Sequence, residues 1–267
     1  MPRRGKHERG PEWRASMGGR PLGQHFLHDP QVIDQILKVA DLHSGERILE
    51  IGPGRGALTY AMLMSGARVL AVEVDENLAA KLKPSENLRV LVQDILQAKL
   101  PELLADGPYK VVANLPYYIT TPILEKLLIE GHGLVTDLYL MMQHEVAERI
   151  VKPAHRLSGS LTHFVRFHAA AEYLFQVPPT AFQPPPEVQS AVMHFHMHAP
   201  PEDCQQIRFF DILRRSFAQR RKMLRSSLRG MVSDEEFVAA GVEAQRRPET
   251  LHFEEFLALE RASRRGQ

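Results

Sequence analysis

Four consecutive residues, Asn114-Leu115-Pro116-Tyr117, combine an amide side chain, a proline-stiffened backbone and an aromatic ring. Such a set can hold a planar base that carries an amino group. The Asn114 amide oxygen and the Leu115 carbonyl accept from that group, Pro116 fixes the local backbone, and the Tyr117 ring can stack. Upstream lies Glu50-Ile51-Gly52-Pro53-Gly54-Arg55-Gly56, whose glycines permit backbone angles and close approach that other residues forbid. A GxGxG turn alone is weak evidence, because packing at a tight strand-to-helix turn also selects glycine. Three carboxylates strengthen it. Glu50 can bond the amino-acid end of a cofactor, Glu73 both hydroxyls of a ribose, and Asp94 the amino group of an adenine that Ile95 covers. Together these residues point to S-adenosylmethionine as cofactor and to methyl transfer onto the exocyclic nitrogen of a nucleobase. A dinucleotide dehydrogenase would share Glu50 and Glu73 but leaves Asp94 and the Asn-Leu-Pro-Tyr segment unexplained.

An adenine amino group is a poor nucleophile, since its lone pair is delocalised into the ring. Two acceptors placed around it favour a more tetrahedral nitrogen and aim the lone pair, so catalysis rests on positioning and preorganised dipoles. Phe182, in Ala181-Phe182-Gln183-Pro184-Pro185-Pro186-Glu187-Val188, can cover the other face of the base. It can equally anchor its loop to the sheet. His194, His196 and His198 alternate along one strand face, which is metal-site geometry in principle. No Asp or Cys ligand set accompanies them in sequence, and a half-buried strand explains the alternation better. Cys204 is the single cysteine and has no identifiable activating base.

The elements that must position these residues alternate along the chain. Strands are predicted at 47–51, 68–74, 88–92, 109–113 and 135–142. Helices are predicted from Pro30, capped by Asp29, to Ala40, and at 57–65, 75–82, 121–130 and 143–151, with a short helix near 97–104. Two further runs, 165–177 and 190–198, read as strands joined by the proline-rich turn. The fold class is therefore α/β: a doubly wound, mainly parallel, Rossmann-like methyltransferase sheet with an antiparallel edge strand. From about residue 201 the pattern changes to helices at 205–217, 219–228, 233–240 and 254–263, a small C-terminal helical domain punctuated by Gly230 and Gly241. The expected organisation is a basic extension over 1–20, a methyltransferase domain over 21–200 and a helical RNA-binding domain over 201–267.

Charge is unevenly spread. The chain of 267 residues has a net charge of +1, yet residues 41–150 hold 10 Lys/Arg against 15 Asp/Glu, residues 1–20 hold 6 against 2, and residues 205–229 hold 8 against 1. A polyanion touching the edges of an acidic catalytic half fits this pattern, although basic runs are also common on merely solvated faces. Arg214, Arg215, Arg220, Arg221, Lys222 and Arg225 are the candidate phosphate contacts, with Lys38 and Arg20 as possible extensions. Arg214, Arg221 and Arg225 share a face only if the helix is nearly continuous. The lone cysteine, the lack of a membrane-length apolar run and the polar N-terminus lead us to expect a cytoplasmic monomer with no metal.

From Leu22 to about Arg229 the chain resembles the small-subunit ribosomal RNA adenine N6,N6-dimethyltransferases, relatives of the erythromycin-resistance 23S RNA methyltransferases. Gly23-Gln24-His25-Phe26-Leu27 is similar to the family's opening segment, Glu50–Gly56 to its glycine loop, Asn114–Tyr117 to its target-adenine motif, and Phe182 with its prolines to the second stacking element. Gln143–Arg149 and Phe217–Leu224 resemble segments of the ribosome-maturation branch. The resemblance implies cofactor contacts from Gln24, His25, Phe26, Leu27, Glu50, Gly52, Gly54, Gly56, Glu73, Val74, Asp94, Ile95 and Asn114. It implies a catalytic set of Asn114, Leu115, Pro116, Tyr117 and Phe182. The implied substrate is a pair of adjacent adenines near the 3′ end of small-subunit RNA, each methylated twice within an assembling subunit. His25 replaces a common asparagine, Arg55 a small or apolar residue, and Leu157–Thr162 differs from the usual stretch. Competing expectations are a 23S RNA methyltransferase conferring antibiotic resistance and an RNA-binding assembly factor without catalysis.

Overall fold

The structure, a computed structural model, describes residues 24–152, 154–219 and 221–264. The basic extension 1–20 with Arg20, the opening Gly23, and Arg220 lie outside the described residues. In chain order the elements begin with β1 (Phe26–Leu27), α1 (Pro30–Ala40), β2 (Arg47–Ile51), α2 (Ala57–Met64), β3 (Arg68–Glu73) and α3 (Glu76–Ala79). There follow β4 (Leu88–Val92), α4 (Leu100–Leu103), β5 (Tyr109–Asn114), a 3-10 turn over Tyr117–Ile119, α5 (Thr120–Glu130), β6 (Val135–Gln143) and α6 (His144–Val151). The chain continues through α7 (Ser160–His168), β7 (Ala169–Val177), β8 (Phe182–Gln183) and β9 (Ser190–Met197). Four helices close it: α8 (Gln206–Ala218), α9 (Leu224–Ser227), α10 (Asp234–Ala239) and α11 (Phe253–Ala262).

Local chemistry explains the boundaries. The Asp29 side chain accepts from the Gln31 N–H with Pro30 at the first position of α1, and Asp75 caps α3 through the Asn77 and Leu78 N–H groups. Seven strands form one sheet in the order β4-β3-β2-β5-β6-β9-β7. The five strands from β4 to β6 are parallel, whereas β9 runs antiparallel to both β6 and β7. The late hairpin therefore sits at one edge as expected, with its antiparallel strand on the inside. Strand order reverses between β2 and β5, which opens a crevice at their carboxyl ends. One apolar cluster packs each face of the sheet. A third lies under α8–α11 and takes in Phe167 of α7.

Two sequence expectations fail here. Residues 165–168 are the end of α7, because Leu161, Val165 and His168 recur at helical spacing; the strand starts only at Ala169. The helix expected over 219–228 is broken after Ala218, where Gln219 leaves helical geometry and Met223 is extended. Arg214 and Arg225 therefore stand on separate helices. A two-stranded pairing absent from the sequence reading joins β1 to β8, with Leu27 opposite Phe182.

Candidate active site

A cavity of about 460 Å³ opens at the crevice, a volume in the usual range for a cofactor site. Its walls come from the opening segment at Gln24–Leu27, from Glu50, Gly52 and Gly54 at and beyond the end of β2, from Glu73 and Val74 at that of β3, from Asp94 and Ile95 beyond β4, and from Asn114–Tyr118 at and beyond the end of β5. Parallel strands end side by side, so residues as far apart in sequence as Glu50 and Asn114 meet there.

At the floor, Gly52 has φ +67 and a Cβ built on it would meet nothing within 4 Å. The turn is left-handed and open, a cradle against which a ligand can lie. Gly54 is tight against Phe26, whose ring atoms would stand 3.0 Å from an added Cβ. Gly56 does not line the cavity. At φ +85, with Tyr60 Cε2 only 2.5 Å from an added Cβ, it is a packing glycine at the start of α2, which corrects its assignment as a cofactor contact.

The three carboxylates differ in state. Glu73 is buried and accepts the Gly54 N–H through Oε2 at 3.1 Å and the Asp75 N–H through Oε1 at 3.0 Å. It thus ties the glycine loop to the end of β3. Glu50 is 2% exposed and accepts the Thr59 hydroxyl at 2.6 Å. Burial, with the Glu73 charge as a lesser cause, pushes its carboxyl up to about 8 against the hydrogen bond from Thr59. Asp94 Oδ1 accepts the Leu96 N–H at 2.9 Å, while its Oδ2 is buried without a partner. A buried acceptor left unpaired costs roughly 1–3 kcal/mol, and an amino group entering the cavity would satisfy it.

At the reaction end, Asn114 Nδ2 donates to the His25 carbonyl at 3.1 Å. That bond uses the amide nitrogen and leaves the amide oxygen as the acceptor. The Tyr117 ring stacks with His25 at 5.6 Å and 28°, and its hydroxyl is 2.5 Å from Ser190 Oγ on β9. His25 Nδ1 in turn lies 2.8 Å from the Pro184 carbonyl. The opening segment, the Asn-Leu-Pro-Tyr turn and the proline loop are thereby locked to one another. Arg55 lies over the Phe26 ring at 4.4 Å. Tyr118 is 55% exposed in the cavity mouth.

Phe182 is the main correction among the candidate catalytic residues. It is 1% exposed and belongs to the core cluster with Leu27 and Val177, because β8 pairs with β1 and turns the ring under the sheet. The anchoring alternative describes it. Ser190 and Thr59 escaped the sequence reading, as a buried serine or threonine leaves no pattern; only the helical position of Thr59 just after the glycine loop hinted at it.

The basic residues are dispersed. Arg214 and Arg215 both pair with Asp211, and Arg225 with Asp234, whereas Arg221 and Lys222 are exposed in the turn between α8 and α9. Leu213, Leu224 and Leu228 are buried and Phe217 packs beside them.

Residues 18–263 match the family described as ribosomal RNA adenine dimethylase. The chain is 40% identical over 252 residues to the ribosomal RNA small subunit methyltransferase A of Alcanivorax borkumensis, covering 91% of this chain and 89% of that protein. Among solved structures it is similar to the 23S rRNA methyltransferase ErmE, with a TM-score of 0.72 and 26% identity over 90% of this chain and 99% of that one. It shares the fold of a dimethyladenosine transferase from Plasmodium falciparum, at a TM-score of 0.73 and 24% identity over 88% and 96% of the two chains.

Proposed function

The chain belongs to the ribosomal RNA adenine dimethylase family, and on that premise we propose that it dimethylates N6 of two adjacent adenines in the 3′-terminal loop of small-subunit RNA. It is an S-adenosylmethionine-dependent ribosomal RNA adenine methyltransferase of ribosome maturation. The substrate we assign is the RNA within an assembling small subunit, met in the cytoplasm by a monomer. No described helix is long and apolar enough to cross a membrane.

The residues present fit the cofactor. The open turn at Gly52 and the unpaired Asp94 Oδ2 are the features that carry this. In our reading Asp94 and Ile95 hold the adenine, Glu73 and Val74 the ribose, and Glu50 with Gln24–Leu27 the amino-acid end. When bound, S-adenosylmethionine supplies an activated methyl group. The chain supplies orientation: Asn114 Oδ1 and the Leu115 carbonyl accept the two N–H groups of the target amine. Pro116 holds that turn, and Tyr117, braced by Ser190, covers one face of the base. With both acceptors spent on hydrogen bonds, the nitrogen lone pair is directed out of the ring plane. Neither acceptor is a strong base, so the proton leaves after the nitrogen has become positive. The helical unit from residue 201 presents Arg221 and Lys222 to RNA phosphates.

The observation that carries this reading is the bond from Asn114 Nδ2 to the His25 carbonyl, which points the amide oxygen at the acceptor's task. Asn114→Ala is expected to leave S-adenosylmethionine affinity within a few-fold while lowering the methyl-transfer rate by about 100-fold or more, as for loss of one preorganised dipole. Calorimetry paired with single-turnover transfer checks it. Collapse of cofactor binding would make Asn114 a structural residue.

A further inference from the structure

Among the described residues, one group outside the cofactor cavity brings metal-ligating side chains together: Asp137, His194 and His196. The two histidines stand two apart on β9 and share a face. Asp137 on the neighbouring β6 is the ladder partner of His196, which supplies the carboxylate that the sequence alone did not reveal. Asp137 Oδ1 lies 2.8 Å from His194 Nε2 and 2.9 Å from His196 Nδ1. We propose that these three side chains form a site for a divalent transition ion of the zinc class, which clamps β9 to β6 near the end of the sheet remote from the cofactor cavity.

The donor set carries the choice of ion. Two imidazole nitrogens and one carboxylate oxygen suit zinc or its neighbours, whereas magnesium and calcium favour oxygen alone. The ligands are preorganised, since Leu138 pairs with Phe195 and Tyr139 with His194 between them. The Tyr139 ring also lies flat on His194, at 4.5 Å and 6°, and fixes its orientation. The Asp137 and His194 side chains are 17% and 22% exposed, while His196 is 64% exposed and leaves an approach open. Three protein ligands leave a fourth position for water or for Glu172, which faces His194 from β7.

The competing arrangement is a hydrogen-bonded trio, with Asp137 Oδ1 accepting one N–H from each ring. A metal replaces both of those protons. Bonds of about 2.0–2.1 Å around a tetrahedral ion set ligand atoms roughly 3.3 Å apart. The two spacings to Asp137 therefore need to open by about half an ångström, and the two ring nitrogens, within 4.8 Å of each other, to settle at the same separation, movements that the exposed His196 can supply.

The test uses the full chain, stripped with a chelator and dialysed. It is titrated with zinc chloride by calorimetry and with cobalt(II) chloride by visible absorption. The expected result is one equivalent bound, with cobalt bands of a low-coordinate site. His196→Gln and Asp137→Asn should each weaken binding on the order of 100-fold, and His132→Gln, an exposed histidine outside the cluster, should not. Retention of the wild-type affinity in both ligand variants, or no saturable equivalent in the wild type, would leave a hydrogen-bonded trio and overturn the proposal. Since His196 is exposed and Asp137→Asn keeps the side chain's shape, loss of folding does not confuse the readout.

Discussion

A carboxyl as buried as that of Glu50 favours its neutral form, and a pKa pushed up to about 8 makes the residue a proton-linked element of the fold. Its folded value lies above the unfolded value of 4.5, so the folded state binds more protons between those limits. The contribution of Glu50 to stability then falls as pH rises from about 4.5 to about 8, by roughly 1.4 kcal/mol per unit, and is flat above, opposed below pH 6.5 by two buried histidines of the opposite sign. Glu50→Gln should remove that slope: without cofactor, its urea midpoint should gain on the wild type between pH 5 and pH 9. A constant gap would mean that Glu50 is ionised throughout. The convergence of Glu50, Glu73, Asp94 and Asn114 on one cavity was legible because each lies at or just past the end of a strand whose apolar run marks it, and parallel strands bring their ends together. Phe182 was not legible. Which way its ring turns depends on the register of β8 against β1, a pairing over 155 positions that no local pattern encodes.

Elements with a strong period were legible to within a residue or two, as with α1, β2 and β4. The misreading at 165–168 arose because an apolar run that crosses from α7 into β7 has no glycine or proline to separate them. That helix also forms a seam with the C-terminal helices. His163 is buried on α7 against Phe217 and Phe256, with neither ring nitrogen paired. Burial, aided by the charges of Arg166 and His252, pushes it down to about 3 from an ordinary 6.5. His168 is pushed down to about 4, again chiefly by burial. Here the folded value lies below the unfolded one, so stability present above pH 6.5 is lost as pH falls toward these values. The urea midpoint should therefore drop between pH 6.5 and pH 4, and His163→Leu should make that drop shallower by about one proton's worth, roughly 1.4 kcal/mol per unit. An unchanged acid slope would show that the seam does not hold His163 neutral.

Across the whole molecule, charge separates the catalytic half from its helical neighbour. An acidic stretch carries the cofactor cavity, while the exposed pair Arg221 and Lys222 stands on the C-terminal unit. The density of positive charge over 205–229 was plain in the sequence. Its pairing was not, since Asp211 and Asp234 engage three of the arginines only once the helices fold. Paired arginines contribute less to a polyanion surface, which concentrates the expected phosphate contacts on the turn after α8. Replacing Arg221 and Lys222 together by Ala should lower the slope of log affinity for RNA against log salt by about 1.5. Cofactor affinity should stay unchanged, and an unaltered slope would move the RNA surface elsewhere. The most direct measurement is transfer of labelled methyl from S-adenosylmethionine to undermethylated small subunits and, separately, to large-subunit RNA, with the modified nucleotides mapped. Dimethyladenosine at two adjacent positions near the 3′ end of the small-subunit RNA is the expected result. Label confined to large-subunit RNA, or absent from both, would contradict it.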